Sequence, residues 1–323
     1  MPRLECEGRQ LELLPGETVL DALLGAGLTV SSSCRAGACQ ACLVQATRGT
    51  PPAAAQQGLK ESLRLEGFFL ACQARPEADL EVSLSGARAL EVPARVSGVE
   101  PLAADVLRVR LQTLRPLSFR AGQYITLARS DGLARAYSIA NRPEERQDEL
   151  ELHVRVLAGG RMSGWLAGKE ALGADVSVRG AQGDCFYVPG NAQQPLTLIG
   201  TGTGLAPLWG VLHDALAHGH TGPIELWHGA RDANGLYLQE ELAALQKQYP
   251  QLSYRRCVLE GPAATSFEVG RLDAVVLEKI PSFAGRRVYL CGDPTLVQRL
   301  KRQVFLRGAS LREIHADAFV GTA

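Results

Sequence analysis

The stretch Cys34-Arg35-Ala36-Gly37-Ala38-Cys39-Gln40-Ala41-Cys42 holds three thiols within nine residues, and a fourth, Cys72, lies thirty residues on in Phe68-Phe69-Leu70-Ala71-Cys72. Spacings of four and then two residues, with a distant last cysteine, are those of a [2Fe–2S] cluster held by four thiolates. Three sulfurs converging from one loop require a tight curl. Ala36, Gly37, Ala38 and Ala41 keep that loop free of bulk, and Gly37 can take a positive φ. A structural zinc site would ordinarily use two C-x2-C pairs, and only one is present here. Disulfides are the other alternative, and the cytoplasmic setting expected below argues against them.

The 323 residues suffice for two or three domains, with 46% apolar and 21% charged residues in an ordinary globular mix. Lys plus Arg and Asp plus Glu are equal at 34 each, so no bulk charge favours nucleic acid or a membrane surface. The opening MPRLECEGRQ carries no apolar signal region, and a cytoplasmic protein is the expectation. The longest apolar run, 196–212, is interrupted by Gly200, Gly202 and Gly204 and is a poor membrane span. Cys6, Cys185 and Cys257 are expected to be small buried hydrophobes.

In the first third, residues 11–14 suggest a short strand before the turn at Pro15-Gly16. Thr18 can cap a helix whose apolar face is Val19, Leu20, Leu23 and Leu24, ending near Gly25 and Gly27. Residues 1–90 hold eight basic and ten acidic side chains, so no strong acidic patch is expected near the cluster. CRAGACQAC followed by FFLACQARP resembles the plant-type ferredoxin module, which implies a β-grasp [2Fe–2S] domain over residues 1–88 with Cys34, Cys39, Cys42 and Cys72 as ligands. That family commonly has glycine after the second cysteine. A left-handed backbone at Gln40 would cost about 1 kcal/mol.

From about residue 89, short alternating segments recur at 95–99, 106–112, 123–128, 135–139, 150–156 and 176–179, as in an antiparallel barrel. Arg135 and Tyr137 stand two apart on one predicted strand and so share a face. The first can bind a diphosphate, the second can lie on a flavin ring, and the Ser138 hydroxyl can meet the reactive nitrogen. Gly159-Gly160-Arg161-Met162-Ser163 opens a predicted short helix whose free N–H groups suit phosphate. Together these motifs resemble the flavin domain of the ferredoxin–NADP reductase superfamily. The resemblance implies a six-stranded FAD barrel over 89–190. It places Arg135, Tyr137 and Ser138 at the flavin, the backbone of His153, Val154 and Arg155 facing it, and Gly160, Met162 and Ser163 at its phosphates.

From Pro195 strands and helices alternate, which predicts a parallel sheet with ligands at the strand ends. Strand 196–199 runs into Gly200-Thr201-Gly202-Thr203-Gly204, and a helix follows. The glycines would let backbone approach a diphosphate at the helix start, and Pro207 suits the first helical turn. Cys291-Gly292-Asp293 ends a late strand, where the superfamily resemblance puts the hydride-transfer site. Phe319 resembles the aromatic that shields the flavin's second face. Arg231 and Asp232 follow the second strand, where an acid selects a free 2′-hydroxyl and an arginine a 2′-phosphate. NADH is the expected donor, with NADPH as the alternative. His218 and His220 are expected at the surface.

Over essentially the whole chain the three modules resemble the electron-transfer reductases of bacterial oxygenases, such as those of benzoate dioxygenase and of methane, phenol and toluene monooxygenases. The fold implied is multidomain, α+β and α/β, with a Rossmann-like nucleotide domain over 191–323. The expected activity passes electrons from NADH through FAD and the cluster to a terminal oxygenase or other acceptor protein, with Ser138 and Cys291 at the hydride step. No nucleic acid and no membrane span are expected, and a monomer is compatible with the chain. A reductase of deoxysugar biosynthesis and a non-catalytic relay subunit are the alternatives.

Overall fold

The computed structural model describes residues 2–146, 148–261 and 267–319. Its first sheet contains β1 (Arg3–Cys6), β2 (Arg9–Glu12), β3 (Leu43–Arg48), β4 (Phe68–Leu70) and β5 (Leu80–Ser83), in the order β2-β1-β5-β3-β4. β1 pairs in parallel with β5 and antiparallel with β2. Alternation along β1 turns Leu4 and Cys6 into the core. Helix α1 (Val19–Gly25) lays Val19, Leu20 and Leu23 on this core, and the Thr18 hydroxyl accepts from the Asp21 N–H as its N-cap. Short helices α2 (Glu61–Leu65) and α3 (Ser85–Ala89) complete the module. The boundary expected at 88/89 falls inside α3.

The second sheet is wholly antiparallel: β6 (Val92–Ala103), β7 (Val106–Thr113), β8 (Tyr124–Ala128), β9 (Ala134–Ser138), β10 (Glu149–Arg155) and β11 (Asp175–Gln182), in the order β10-β7-β6-β11-β8-β9. An antiparallel bridge between Ile139 and Leu152 brings the two edge strands together, so the sheet curls barrel-like. Val109, Leu111, Ile125, Leu127 and Leu152 fill its interior. Helix α4 (Arg161–Ala167) closes one side, with Met162 and Leu166 buried.

The third sheet is parallel: β12 (Leu196–Thr201), β13 (Ile224–Ala230), β14 (Leu252–Val258), β15 (Glu268–Val269), β16 (Arg287–Gly292) and β17 (Ile314–Ala318), in the order β15-β14-β13-β12-β16-β17. Helices α5 (Leu205–Ala217), α6 (Gln239–Gln248), α7 (Leu272–Lys279) and α8 (Pro294–Leu306) connect them. Strand order reverses between β12 and β16. In such sheets the crevice outside the strand C-termini at that reversal receives the ligand. Among the described residues no helix is long and apolar enough to cross a membrane.

Candidate functional site

The four predicted cysteines gather two and two. The Cys34 N–H donates to Cys39 Sγ at 3.5 Å, and the Cys39 N–H donates back to Cys34 Sγ at 3.4 Å. The Cys72 N–H donates to Cys42 Sγ at 3.5 Å. Within each pair the thiols share a proton: a hydrogen bond from Cys39 holds Cys34 down to about 5, and one from Cys42 holds Cys72 down to about 6. Cys39 and Cys42 are pushed up by the same bonds. Among the described residues no three His, Cys, Asp or Glu side chains gather at a mononuclear site. Paired thiols that already accept backbone N–H bonds fit a binuclear cluster in which each iron takes two of them. Gln40 stands at φ 53°, the left-handed conformation that glycine would favour.

One cleft of about 1450 Å³ runs from this loop to the parallel sheet, larger than a pocket for one small ligand. Cys34, Ala38 and Cys39 line one end. Tyr124, Arg135, Tyr137, Ser138, His153, Arg155, Gly160, Met162 and Ser163 form the barrel wall. Thr201, Gly202, Thr203, Arg231, Gly292, Asp293 and Phe319 form the wall on the side of the parallel sheet. Many of the residues expected at a cluster, a flavin and a nicotinamide, scattered over most of the sequence, thus line one continuous space.

Several of the expected residues also make structural contacts. Val154 is buried in the barrel core and does not line the cleft. The His153 ring is a tie between domains: Nδ1 meets the Tyr237 hydroxyl at 3.2 Å and Nε2 meets Glu151 at 3.1 Å. Ser163 Oγ accepts from the Leu157 N–H at 3.1 Å, which shapes the turn before α4. Gly200 and Gly204 are absent from the cleft wall and serve close packing instead. A Cβ on Gly204 would stand 2.4 Å from the Cys291 carbonyl oxygen, and one on Gly200 2.7 Å from Leu208. Only Gly202 of the three faces the cleft.

Cys291, expected at the hydride step, is fully buried, and its Sγ lies 3.3 Å from Cys185 Sγ. Strand alternation places it with Tyr289 on the face that packs against Cys185 and Leu205, so its thiol does not face the cleft. Burial also pushes that thiol well up, against thiolate formation. Gly292 does reach the cleft. Asp232 turns away, its side chain accepting from the Asn234 N–H, and Glu260 lies beside Arg231 at 3.5 Å in its place. His220 is buried, with Nδ1 3.2 Å from the Tyr187 hydroxyl, contrary to the surface position expected for it. His218, at the α5 C-cap, is exposed as expected.

The sequence reading missed Asp317. Its carboxylate accepts from Ser138 Oγ at 3.0 Å across 179 residues. Burial pushes this carboxyl from an ordinary 3.8 to about 6, against the opposing pull of the Ser138 hydrogen bond. The folded chain therefore holds the proton more tightly than the unfolded one, and stability falls as pH rises from about 4 to about 6. Asp317→Asn is expected to flatten Tm against pH in that window and to raise Tm at neutral pH. A parent-like pH profile would contradict the assignment.

Comparison with known proteins gives the same three parts. Residues 3–77 match the 2Fe-2S iron-sulfur cluster binding domain, 93–187 the oxidoreductase FAD-binding domain, and 198–302 the oxidoreductase NAD-binding domain. The fold and cleft therefore define a flavin and iron–sulfur oxidoreductase that uses FAD, a [2Fe–2S] cluster and NAD(P)H. The chain is 36% identical to the reductase subunit of an aromatic O-demethylase from Amycolatopsis sp., over 97% of this chain and 96% of that one. It is 32% identical to the ferredoxin–NAD(P)+ reductase component of the naphthalene 1,2-dioxygenase system of Pseudomonas putida, over 98% and 97%. A crystal structure of an Amycolatopsis cytochrome P450 reductase superposes with TM-score 0.70 at 34% identity, covering 99% of each chain. The protein belongs to the family of reductase components of oxygenase systems.

Proposed function

We propose that the protein takes electrons from NADH and delivers them to a partner oxygenase, with the continuous cleft between cluster loop and parallel sheet as its path. When bound, FAD accepts a hydride from the nicotinamide and passes single electrons to the cluster. Tyr137, half-buried against the barrel core, offers a ring face to the flavin, and Arg135 beside it offers a guanidinium to the diphosphate. Ser138, oriented by Asp317, presents its hydroxyl where the flavin and nicotinamide rings would meet. Gly292 and Thr201 shape the nicotinamide end, since a side chain at Gly292 would stand 2.6 Å from Thr201 Oγ1. Phe319, tied by its N–H to the Gly292 carbonyl at 2.8 Å, covers that end. The acceptor takes its electron at the outer rim of the cluster loop, where Arg35 and Ala36 are exposed.

The charge pattern at the far end of the cleft favours NADH. Arg231 faces Glu260 at 3.5 Å, while Asp273 accepts from both Arg271 at 2.9 Å and Arg299 at 2.6 Å. A 2′-phosphate would meet carboxylates beside each arginine, whereas a free 2′-hydroxyl can donate to one. The isolated protein, loaded with both cofactors, is expected to reduce cytochrome c steadily with NADH and at least about tenfold less efficiently with NADPH, a difference of about 1.4 kcal/mol. Absence of turnover without a partner would favour a relay subunit, and equal use of both donors would contradict the ribose argument.

A further inference from the structure

Four consecutive carbonyls of the cluster loop are gripped by side chains from the flavin barrel. Tyr124 Oη donates to Ala38 O at 3.2 Å and Thr126 Oγ1 to Cys39 O at 2.9 Å. Arg179 Nη1 donates to Gln40 O at 3.2 Å and to Ala41 O at 3.0 Å. Strand geometry builds this grip. Tyr124 and Thr126 alternate to one face of β8, and Arg179 on β11 is registered directly opposite Thr126. Beside them, Cys39 and Ala41 pack on Ala128 and Ala134.

Arg179 is the charged member. It is 7% exposed, and its Nη2 is held by Glu91 at 2.5 Å. Glu91 in turn accepts from Ser177 Oγ at 2.8 Å. Among the described residues the Arg179 Nε has no partner. A buried guanidinium needs acceptors on several donors, and two of those found here belong to the ferredoxin module. The barrel thus carries a guanidinium, paired with Glu91, whose hydrogen bonds are completed by the seated cluster loop, between Cys39 and Cys42.

We infer that Arg179 is the positioning residue for the flavin-to-cluster electron step: it locks the cluster loop on the barrel and favours the reduced cluster through the guanidinium edge that it turns to the loop, Glu91 being held on its other nitrogen. Adding an electron makes the cluster more negative, so a neighbouring cation raises its potential. The inference rests on the flavin and cluster assignments above.

The test uses the protein with both cofactors bound, the substitutions Arg179→Gln and Arg179→Lys, and Arg95→Gln as a control. Arg95 pairs with Asp175 at 2.9 Å on the exposed side of the barrel. In stopped flow, R179Q is expected to reduce its flavin with NADH at the parent rate but to fill the cluster roughly tenfold or more slowly, as small misplacements do. Its cluster potential, from a redox titration read by electron paramagnetic resonance, should move more negative. R179K should restore the potential and only part of the rate, and R95Q should match the parent. Parent-like filling together with a parent-like potential in R179Q would overturn the inference. Failure of the parent itself to reduce its flavin with NADH would instead overturn the functional reading. Should R179Q lose its cofactors, Thr126→Val and Glu91→Gln carry the test: slowed filling in either supports the lock, and parent rates in both refute it.

Discussion

Cys72→Ser is expected to remove the reduced-cluster signal in electron paramagnetic resonance while NADH still bleaches the flavin at the parent rate. Cytochrome c reduction should fall by about tenfold or more, at least about 1.4 kcal/mol on the limiting step. Serine keeps the volume but offers a hydroxyl in place of a soft thiolate, which iron–sulfur clusters require. Cys72 also sits outside the flavin barrel, in the short turn Ala71–Gln73 that follows β4 of the first module. The flavin half-reaction therefore has no reason to change. Parent-level cytochrome c reduction by the serine variant would show that electrons leave without crossing the cluster.

The second large effect lies at Gly204. An added Cβ would stand 2.4 Å from the Cys291 carbonyl oxygen, 2.7 Å from its carbon and 3.0 Å from Gly292 Cα, all backbone that cannot rotate away. Gly204→Ala must therefore push the loop after β12 off the end of β16. Such overpacking costs about 1–3 kcal/mol, and Tm should drop by several degrees. The same displacement opens the nicotinamide end, so NADH reduction of the flavin should slow as well. Gly190→Ala, whose methyl meets open space, is the control. An unchanged Tm in G204A would mean that the two strand ends are not packed as described.

What could be read in the sequence was local. That Cys34, Cys39 and Cys42 come together was legible from their spacing within one loop, and the approach of Cys72 from the apolar run that delivers it. The six barrel strands were legible by alternation, although β6 extends to Val92–Ala103 where only 95–99 was expected. β1 was missed because Arg3–Cys6 is too short for its alternation to stand out. Cys291 was placed correctly on the chain but not in direction. A motif fixes a position, while strand register decides which face a side chain takes. Gly200 and Gly204 look like a diphosphate loop, yet Gly204 accommodates the neighbouring strand end and Gly200 the Leu208 side chain and the Gly204 backbone. Tyr124, Thr126, Arg179 and Asp317 were not found, because each acts through a contact 86 or more residues away. The one local signal was Tyr124 and Thr126 alternating with buried Ile125 and Leu127, a polar strand face in want of a partner.

The account stands most directly on an anaerobic titration of the intact protein with NADH, followed by visible absorption and electron paramagnetic resonance together. The flavin band should bleach with the first additions, and the rhombic signal of a reduced [2Fe–2S] cluster should then grow as further electrons arrive. A bleached flavin beside a bound cluster that never acquires that signal would contradict the path from nicotinamide to cysteine loop.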